Sequence, residues 1–325
     1  MTKTRSITTR LLALLALSCA TSATAHSAPK TPPPAAAPVR VLTFNILASQ
    51  PSWEKNAKCE PWAVRQPIVL EVMRDKTGGA PYDFIGTQET TVHPDAALHQ
   101  VNQLAAALLP DYDSHYAACS GERNGKTHKE FSLSNMIFWR KDRWKIDRAD
   151  RGTFWLSDTP ETPGSNQWAP GGKGGKRNVT YALFHEIADG KRTGRKVYFF
   201  NTHLNVHVPA ARAKSALLLM ERIQQRRTQS APVILTGDFN ARRDSIIYKY
   251  LTGGAIEFDN ETHRPPLALT EAYAAANPDN PKKPGIDFIF STAGLRARSA
   301  TVIDKRRDNI RASDHNAVDA LLEWQ

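Results

Sequence analysis

Residues 231–241, APVILTGDFNA, constrain this chain more than any other stretch. Val233, Ile234 and Leu235 make a short apolar run between Pro232 and Gly237, with the length and composition of a buried strand. The run passes directly into Asp238 and Asn240. Gly237 is expected to turn the backbone tightly there and present both polar groups at the strand end. Ordinary turns also use Asp and Asn, so the weight of this stretch depends on whether other strands end the same way.

They do. Arg40 to Leu47 (RVLTFNIL) reads as a core strand interrupted by Asn45, and a buried amide needs partners. Tyr82 to Thr90 is a second core strand ending in Gln88-Glu89, where an unpaired carboxylate would call for a cation. Lys196 to Asn205 ends in NTHLN, which brings His203 and Asn205 to a third strand end. Gly285 to Phe290 carries Asp287 among apolar neighbours, and Asp314-His315 stand just before a closing strand, Ala317 to Glu323. Helical spacing is expected over Trp62 to Asp75, with Pro67 starting the helix proper, over Asp95 to Leu109, and over Ala210 to Arg226. Short helix at Ser245–Leu251 and a loop from Gly253 to Pro266 follow the 233 strand. Many strands and few helices, in two similar halves, favour two packed sheets flanked by helices, an α+β arrangement.

The first 25 residues have the form of a secretory signal peptide: Lys3, Arg5 and Arg10, an apolar run from Leu11 to Leu17, then Ala23-Thr24-Ala25 before the expected cleavage. The apolar part is too short to span a membrane. Cys19 lies in a poor match to a lipid-attachment box, so lipidation is the weaker reading. Residues 26–38 are a Pro/Ala-rich leader, and 39–325 form the folded domain, with no linker or short-period repeat inside it. The exported chain is expected to be soluble, monomeric and without a transmembrane anchor. Loss of the three signal-peptide cations lowers the formal charge from +11 to +8, which still suits a polyanionic partner. Cys59 and Cys119, the even pair left in an oxidising location, are expected to be bridged.

Read in order, FN, QE, NTHLN, GDFNA, IDFIF and SDH resemble the endonuclease/exonuclease/phosphatase superfamily, the DNase I-like metal-dependent phosphoesterases. The resemblance runs from Val39 to the end of the chain. FWLSDTPETPGS with Trp168 is similar to an uncharacterised bacterial branch of it. The resemblance implies a four-layer αββα sandwich with its site at one edge of the paired sheets. It implies Mg²⁺, or Mn²⁺ in its place, held by Glu89 with Asn45 beside it and Asp314 near. Hard oxygen ligands are what such an ion takes. Asp238 and Asn240 would orient the attacking water and the phosphate oxygens, His315 with Asp287 would act as a base or charge stabiliser, and His203 would face the leaving oxygen. Arg177, Asn135 and Asn205 would meet the phosphate or the rest of the substrate. Many relatives have Asp where this chain has Asn205, which makes a second metal less expected.

The implied activity is hydrolysis of phosphate esters, with a nucleic-acid phosphodiesterase favoured by the charge and by Lys173, Lys176 and Arg177. A phosphomonoesterase or a phospholipid or sphingomyelin phosphodiesterase is the competing enzyme. The lipid version would want exposed apolar loops, and residues 253–266 hold only Ile256 and Phe258. A binding module with a dead site is disfavoured by the presence of Glu89, His203, Asp238, Asn240, Asp314 and His315 together.

Overall fold

A computed structural model of the chain describes residues 36–76, 79–121, 130–280 and 285–325. The expected signal peptide, Cys19 and the leader up to residue 35 lie outside the described residues. The first half of the domain contains β1 (Val39–Asn45), β2 (Phe84–Val92), β3 (Tyr112–His115), β4 (Ser132–Arg140) and β5 (Trp144–Trp155), with α1 (Pro51–Asn56), α2 (Trp62–Met73) and α3 (Gln100–Leu108). The second half begins with β6 (Asn178–Ala188), β7 (Lys191–His203), α4 (Pro209–Gln224), β8 (Val233–Asp238), α5 (Ile246–Leu251), β9 (Ile256–Phe258) and β10 (Glu261–His263). It ends with β11 (Thr270–Glu271), α6 (Ala272–Ala276), β12 (Asp287–Ser291), β13 (Leu295–Ile303), β14 (Arg306–Arg307), β15 (Ile310–Arg311) and β16 (Ala317–Trp324).

Two six-stranded sheets result, ordered β13-β16-β1-β2-β4-β3 and β11-β12-β8-β7-β6-β5. In the first only β1 and β2 run parallel, and in the second only β7 and β8 do. Parallel neighbours need a crossover, which α1 and α2 supply in one half and α4 in the other. Side chains alternate across each strand. In β1, Val39 and Val41 point between the sheets to Phe84, Trp139, Phe199 and Val318, while Leu42 and Phe44 point outward to α2 and α3. In β8, Ile234 faces inward, while Val233 and Leu235 pack under α4 and α5. The expected four-layer αββα sandwich is therefore what forms. Both parallel pairs end on the same edge, which gathers Asn45, Glu89, His203 and Asp238.

Several local expectations need correcting. Helix α2 begins at Trp62, not at Pro67, because tertiary contacts hold its first turn: Trp62 Nε1 donates to Gln103 Oε1 at 2.7 Å and buried Arg65 pairs with Glu54 at 2.9 Å. Helix α3 starts only at Gln100, after turns that occupy residues 95–98. Gly237 lies inside β8 rather than in a turn; a Cβ there would sit 2.4 Å from the Thr202 carbonyl of β7, so the glycine serves close strand approach. The loop 253–266 contains the small β9–β10 hairpin, but Ile256 is buried and Phe258 packs on the same core, so neither apolar side chain is offered outward. Cys59 and Cys119 are not bridged: both thiols are free. Cys59 sits in the turn after α1, its Sγ 3.7 Å from the Ala57 carbonyl, whereas Cys119 is buried against Ala48 and Leu133. No described helix is long and apolar enough to cross a membrane.

Candidate active site

Asp238 is the hub of the gathered edge. Its Oδ2 accepts from Asn45 Nδ2 at 3.0 Å and lies 3.4 Å from His203 Nε2 and 3.7 Å from His315 Nε2. Its Oδ1 accepts from the Asn240 amide N–H at 2.9 Å, a local turn that Asn240 closes with a left-handed φ of 46°. Strand pairing sets Asp287 directly opposite Asp238, and Asp287 Oδ2 meets His315 Nδ1 at 2.8 Å. Residues from five strand ends and their loops thus meet around one carboxylate oxygen.

Glu89 enters through a bulge. The β2–β4 register shifts between Thr87 and Thr90, and Glu89 takes φ 58°, a conformation that costs of order 1–3 kcal/mol for a residue of its kind. The bulge turns its carboxylate to the Asn45 amide (3.3 Å to Oε1) and the Ala48 N–H (3.2 Å to Oε2). Asn45 offers its nitrogen to both acids, and its oxygen accepts from Leu47 N–H at 3.1 Å. The amide therefore bridges Glu89 and Asp238, beside Glu89 as the resemblance implied. Ser313 Oγ donates to the Asn45 carbonyl at 2.7 Å and to Asp314 at 3.2 Å, tying the Asp314-His315 loop to β1.

The electrostatics follow from crowding acids away from water. Burial pushes the Glu89 carboxyl up, with Arg177 pulling against it. Burial, then the neighbouring Asp287, raises Asp238. Burial also raises Asp287, against the pull of His315. Burial alone would lower His315, but the Asp287 and Asp238 carboxylates more than reverse this and hold it at about 10. His203 goes the other way, well below the ordinary value, because it is buried and flanked by Arg177 and His315. One imidazole is thus held as a cation and the other as a neutral ring. Arg177 Nη1 lies 3.2 Å from His203 Nδ1 and Asn240 Nδ2 lies 2.9 Å from His203 Nε2, so the ring is held between two nitrogen donors.

Not every expected residue joins this cluster. Asn135 donates to the carbonyl and side-chain oxygen of Asn178 at 2.9 Å each, behind Arg177. Asn205 is spent on backbone: Lys173 O, His207 N–H and Val208 N–H. Among the described residues Asp238, Asp287 and His315 offer ligand atoms within 4.8 Å of one another. Asp287 Oδ2 and His315 Nδ1 are already bonded to each other, whereas Glu89 has only long contacts. Four acids against one imidazolium, Arg177 and Arg311 still leave negative charge over, which fits a divalent cation, and hard oxygens fit Mg²⁺. A hollow of about 660 Å³ lies elsewhere, along β5 and the end of α4.

One layer was not anticipated. Gln88 Nε2 donates to Asn201 Oδ1 at 2.7 Å and Thr43 Oγ1 at 3.0 Å, and Thr236 Oγ1 donates to the same Asn201 oxygen at 3.0 Å. Asn201 Nδ2 donates to the Thr87 and Met136 carbonyls, closing a polar bridge between the sheets. Thr43, Asn201 and Thr236 each stand two residues before Asn45, His203 and Asp238. That period-two signal was present in the sequence.

A match to the endonuclease/exonuclease/phosphatase family model spans residues 42–315, from the strand of Asn45 to His315 itself. The chain belongs to this family. A family structure from Bacteroides vulgatus is 27% identical, with TM-score 0.67, covering 89% of this chain and all of the other. A mannosyl-6-phosphatase from Bacteroides thetaiotaomicron shares the fold at TM-score 0.63 and 23% identity, covering 88% of this chain and all of that one. A probable 3'-5'-exoribonuclease subunit of the CCR4-Not complex from Encephalitozoon cuniculi is 27% identical over 304 residues. That match takes in 84% of this chain and 58% of the relative, so the chain spans little more than half of that protein's length. The members of this endonuclease/exonuclease/phosphatase family are phosphoester hydrolases.

Proposed function

We propose that the protein is an exported, Mg²⁺-dependent phosphoester hydrolase, with phosphodiesters of nucleic acid as its favoured substrates. The observation that carries this is the convergence of Asn45, His203 and His315 on the Asp238 carboxylate at 3.0, 3.4 and 3.7 Å, with Asp287 bracing His315 at 2.8 Å. A phosphoester repels an incoming hydroxide, so catalysis needs positive charge at the phosphoryl oxygens and a placed water. A bound Mg²⁺ would supply Lewis-acid stabilisation, with Glu89 and Asp314 as its carboxylates. His315, braced by Asp287 at 2.8 Å, lends a fixed positive charge to the phosphoryl group. Asp238, raised by burial, accepts the water's proton, and a base poised nearer neutrality suits that task. Asn45 and the Asn240 backbone hold Asp238 in place. His203, held between Arg177 and Asn240, stands beside the departing oxygen.

Export rests on residues 1–25, and amino-terminal sequencing of secreted protein should begin at His26. The activity is tested with single- and double-stranded DNA, RNA, sphingomyelin, inositol phosphates and a nucleoside monophosphate at equal Mg²⁺. Metal-dependent cleavage that EDTA and His315→Ala abolish is the expected result, with a nucleic acid preferred. Preference for the monophosphate would replace the diesterase reading with a monoesterase. No turnover by folded, metal-binding protein would overturn hydrolysis itself.

A further inference from the structure

We infer that residues 171–176, GGKGGK, form a clasped arm that binds a second anionic group of the substrate, and that Asn205 is the clasp. This deepens the hydrolase reading and rests on it for the identity of the substrate. Asn205 Nδ2 donates to the Lys173 carbonyl at 3.0 Å, while its Oδ1 accepts from His207 N–H at 2.9 Å and Val208 N–H at 2.8 Å. A carboxylate at this place would keep both acceptor roles but would have no hydrogen for Lys173, and would set two oxygens against each other. The fit is two-sided. Gly174 has φ 80°, and a Cβ on it would lie 2.4 Å from Asn205 Oδ1. Gly171, Gly172 and Gly175 are also left-handed, so without a clasp the arm has much conformational freedom to lose.

What the arm carries is charge. Lys173 and Lys176 are exposed and pair with no carboxylate among the described residues. Arg177, which follows, is only 7% exposed; its Nη1 reaches His203 and its buried Nε has no partner. An N–H donor left unpaired in a buried position points to a ligand that satisfies it. Arg177 is held independently of the clasp, since its carbonyl accepts from Leu156 N–H at 2.9 Å and β6 begins at the next residue. The buried guanidinium is therefore suited to the group being cleaved. The two outer ammonium groups, with no anion of the protein's own, suit a neighbouring phosphate such as the next one along an oligonucleotide.

The test compares Asn205→Asp with the Lys173→Ala/Lys176→Ala double variant on two substrates, a short single-stranded oligonucleotide and bis(p-nitrophenyl) phosphate, which has one phosphate only. Each variant should raise KM for the oligonucleotide about three- to tenfold with little change in kcat. The preference for it over the small diester should fall accordingly. Combining the changes should add little, because both remove one device. Equal losses on the two substrates, or fully additive effects, would overturn the proposal. Should wild type cleave neither substrate, the hydrolase reading fails separately, and oligonucleotide affinity by fluorescence anisotropy decides about the arm. Weaker binding by Asn205→Asp and by the lysine variant then supports it, and unchanged binding removes it. The lysine variant changes only exposed side chains, so it reports even if Asn205→Asp impairs folding.

Discussion

The two ends of the sandwich both bury acids, and they treat them differently. At the end where β1 and β2 begin, each acid has an arginine. Asp83 takes Arg143 at 2.9 Å, the Arg40 N–H at 2.8 Å and Trp144 Nε1 at 3.0 Å. Asp319 takes Arg40 at 2.8 Å, and Glu186 takes Arg143 at 2.8 Å together with Arg195 and Thr193. At the end where the same strands finish, Glu89, Asp238, Asp287 and Asp314 share one imidazolium, Arg177 and Arg311, the last spent on the Asp314 carbonyl at 3.0 Å. The first end is a closed set of pairs whose work is done by folding. The second is short of positive charge, a deficit that substrate-stage cations can fill. More acids than cations, gathered at one strand edge, are what mark that edge as functional.

The comparison breaks first at Glu89. In Glu89→Gln, kcat/KM should fall by roughly 10³- to 10⁴-fold, because the change removes the main anchor for a metal whose Lewis-acid role is worth several kcal/mol. Stability without metal should hold or rise, since the lost charge was half-buried and poorly paired. Thermal denaturation with and without Mg²⁺ sharpens this. Wild type should gain about 2.7 kcal/mol at a hundredfold excess over Kd, and the variant little or nothing. Metal stabilisation that survives in the variant would place the ion elsewhere.

Arg143→Met probes the other end and should reverse the pattern. It strands Asp83 and Glu186 together, and breaking a buried pair from one side costs about 3–5 kcal/mol. Urea denaturation should show that loss, while kcat and KM on the folded fraction stay at wild-type values. A smaller effect, about 10²-fold in kcat, is expected for Asp287→Asn. The amide can still meet His315 Nδ1 but no longer supports its positive charge. Its pH–rate profile should lose its alkaline plateau earlier, because without that carboxylate His315 deprotonates at a lower pH.

These contrasts explain how much could be read from the chain alone. Strand ends and their polar residues were legible because an Asn45 or a Glu89 violates the apolar pattern of a core strand. The order of those violations led to the fold. What the residues do with their atoms was not legible. Asn45 turns its nitrogen to Glu89 and Asp238 and its oxygen to the Leu47 N–H, and Asn205 ties a loop through the Lys173 carbonyl. An amide's two ends are equivalent in a sequence and become distinct only when Leu47 or Lys173 arrives beside one of them. The left-handed turn at Glu89 was equally hidden, since a bulge depends on the register of β4. Cys59 and Cys119 were paired by arithmetic, and packing put them in separate surroundings. The layer of Thr43, Asn201 and Thr236 was visible as a period of two, but it became meaningful only once both sheets faced each other across it.

The smallest expected effect concerns pH and separates Glu186 from Glu89 by sign, although Asp83, at the same end as Glu186, is raised by burial. Burial would raise the Glu186 carboxyl, yet hydrogen bonds from Arg143, Thr193 and Arg195 bring it below the ordinary value. A group depressed in the folded state contributes stability that is complete above its unfolded pKa and is lost as pH falls through its folded one. Glu89 and Asp287 are raised in the metal-free protein, so they bind protons more readily when folded, and acid should relieve rather than impose their cost. Glu186→Gln should therefore flatten the acid limb of a metal-free stability profile by no more than one proton's slope, about 1.4 kcal/mol per pH unit. Glu89→Gln should steepen that limb, by removing a group that opposed the loss. Equilibrium denaturation between pH 3 and pH 7, roughly the range over which ordinary carboxyls and their raised counterparts titrate, measures both. Slopes that move the same way in the two variants would show that Glu186 and Glu89 are held alike.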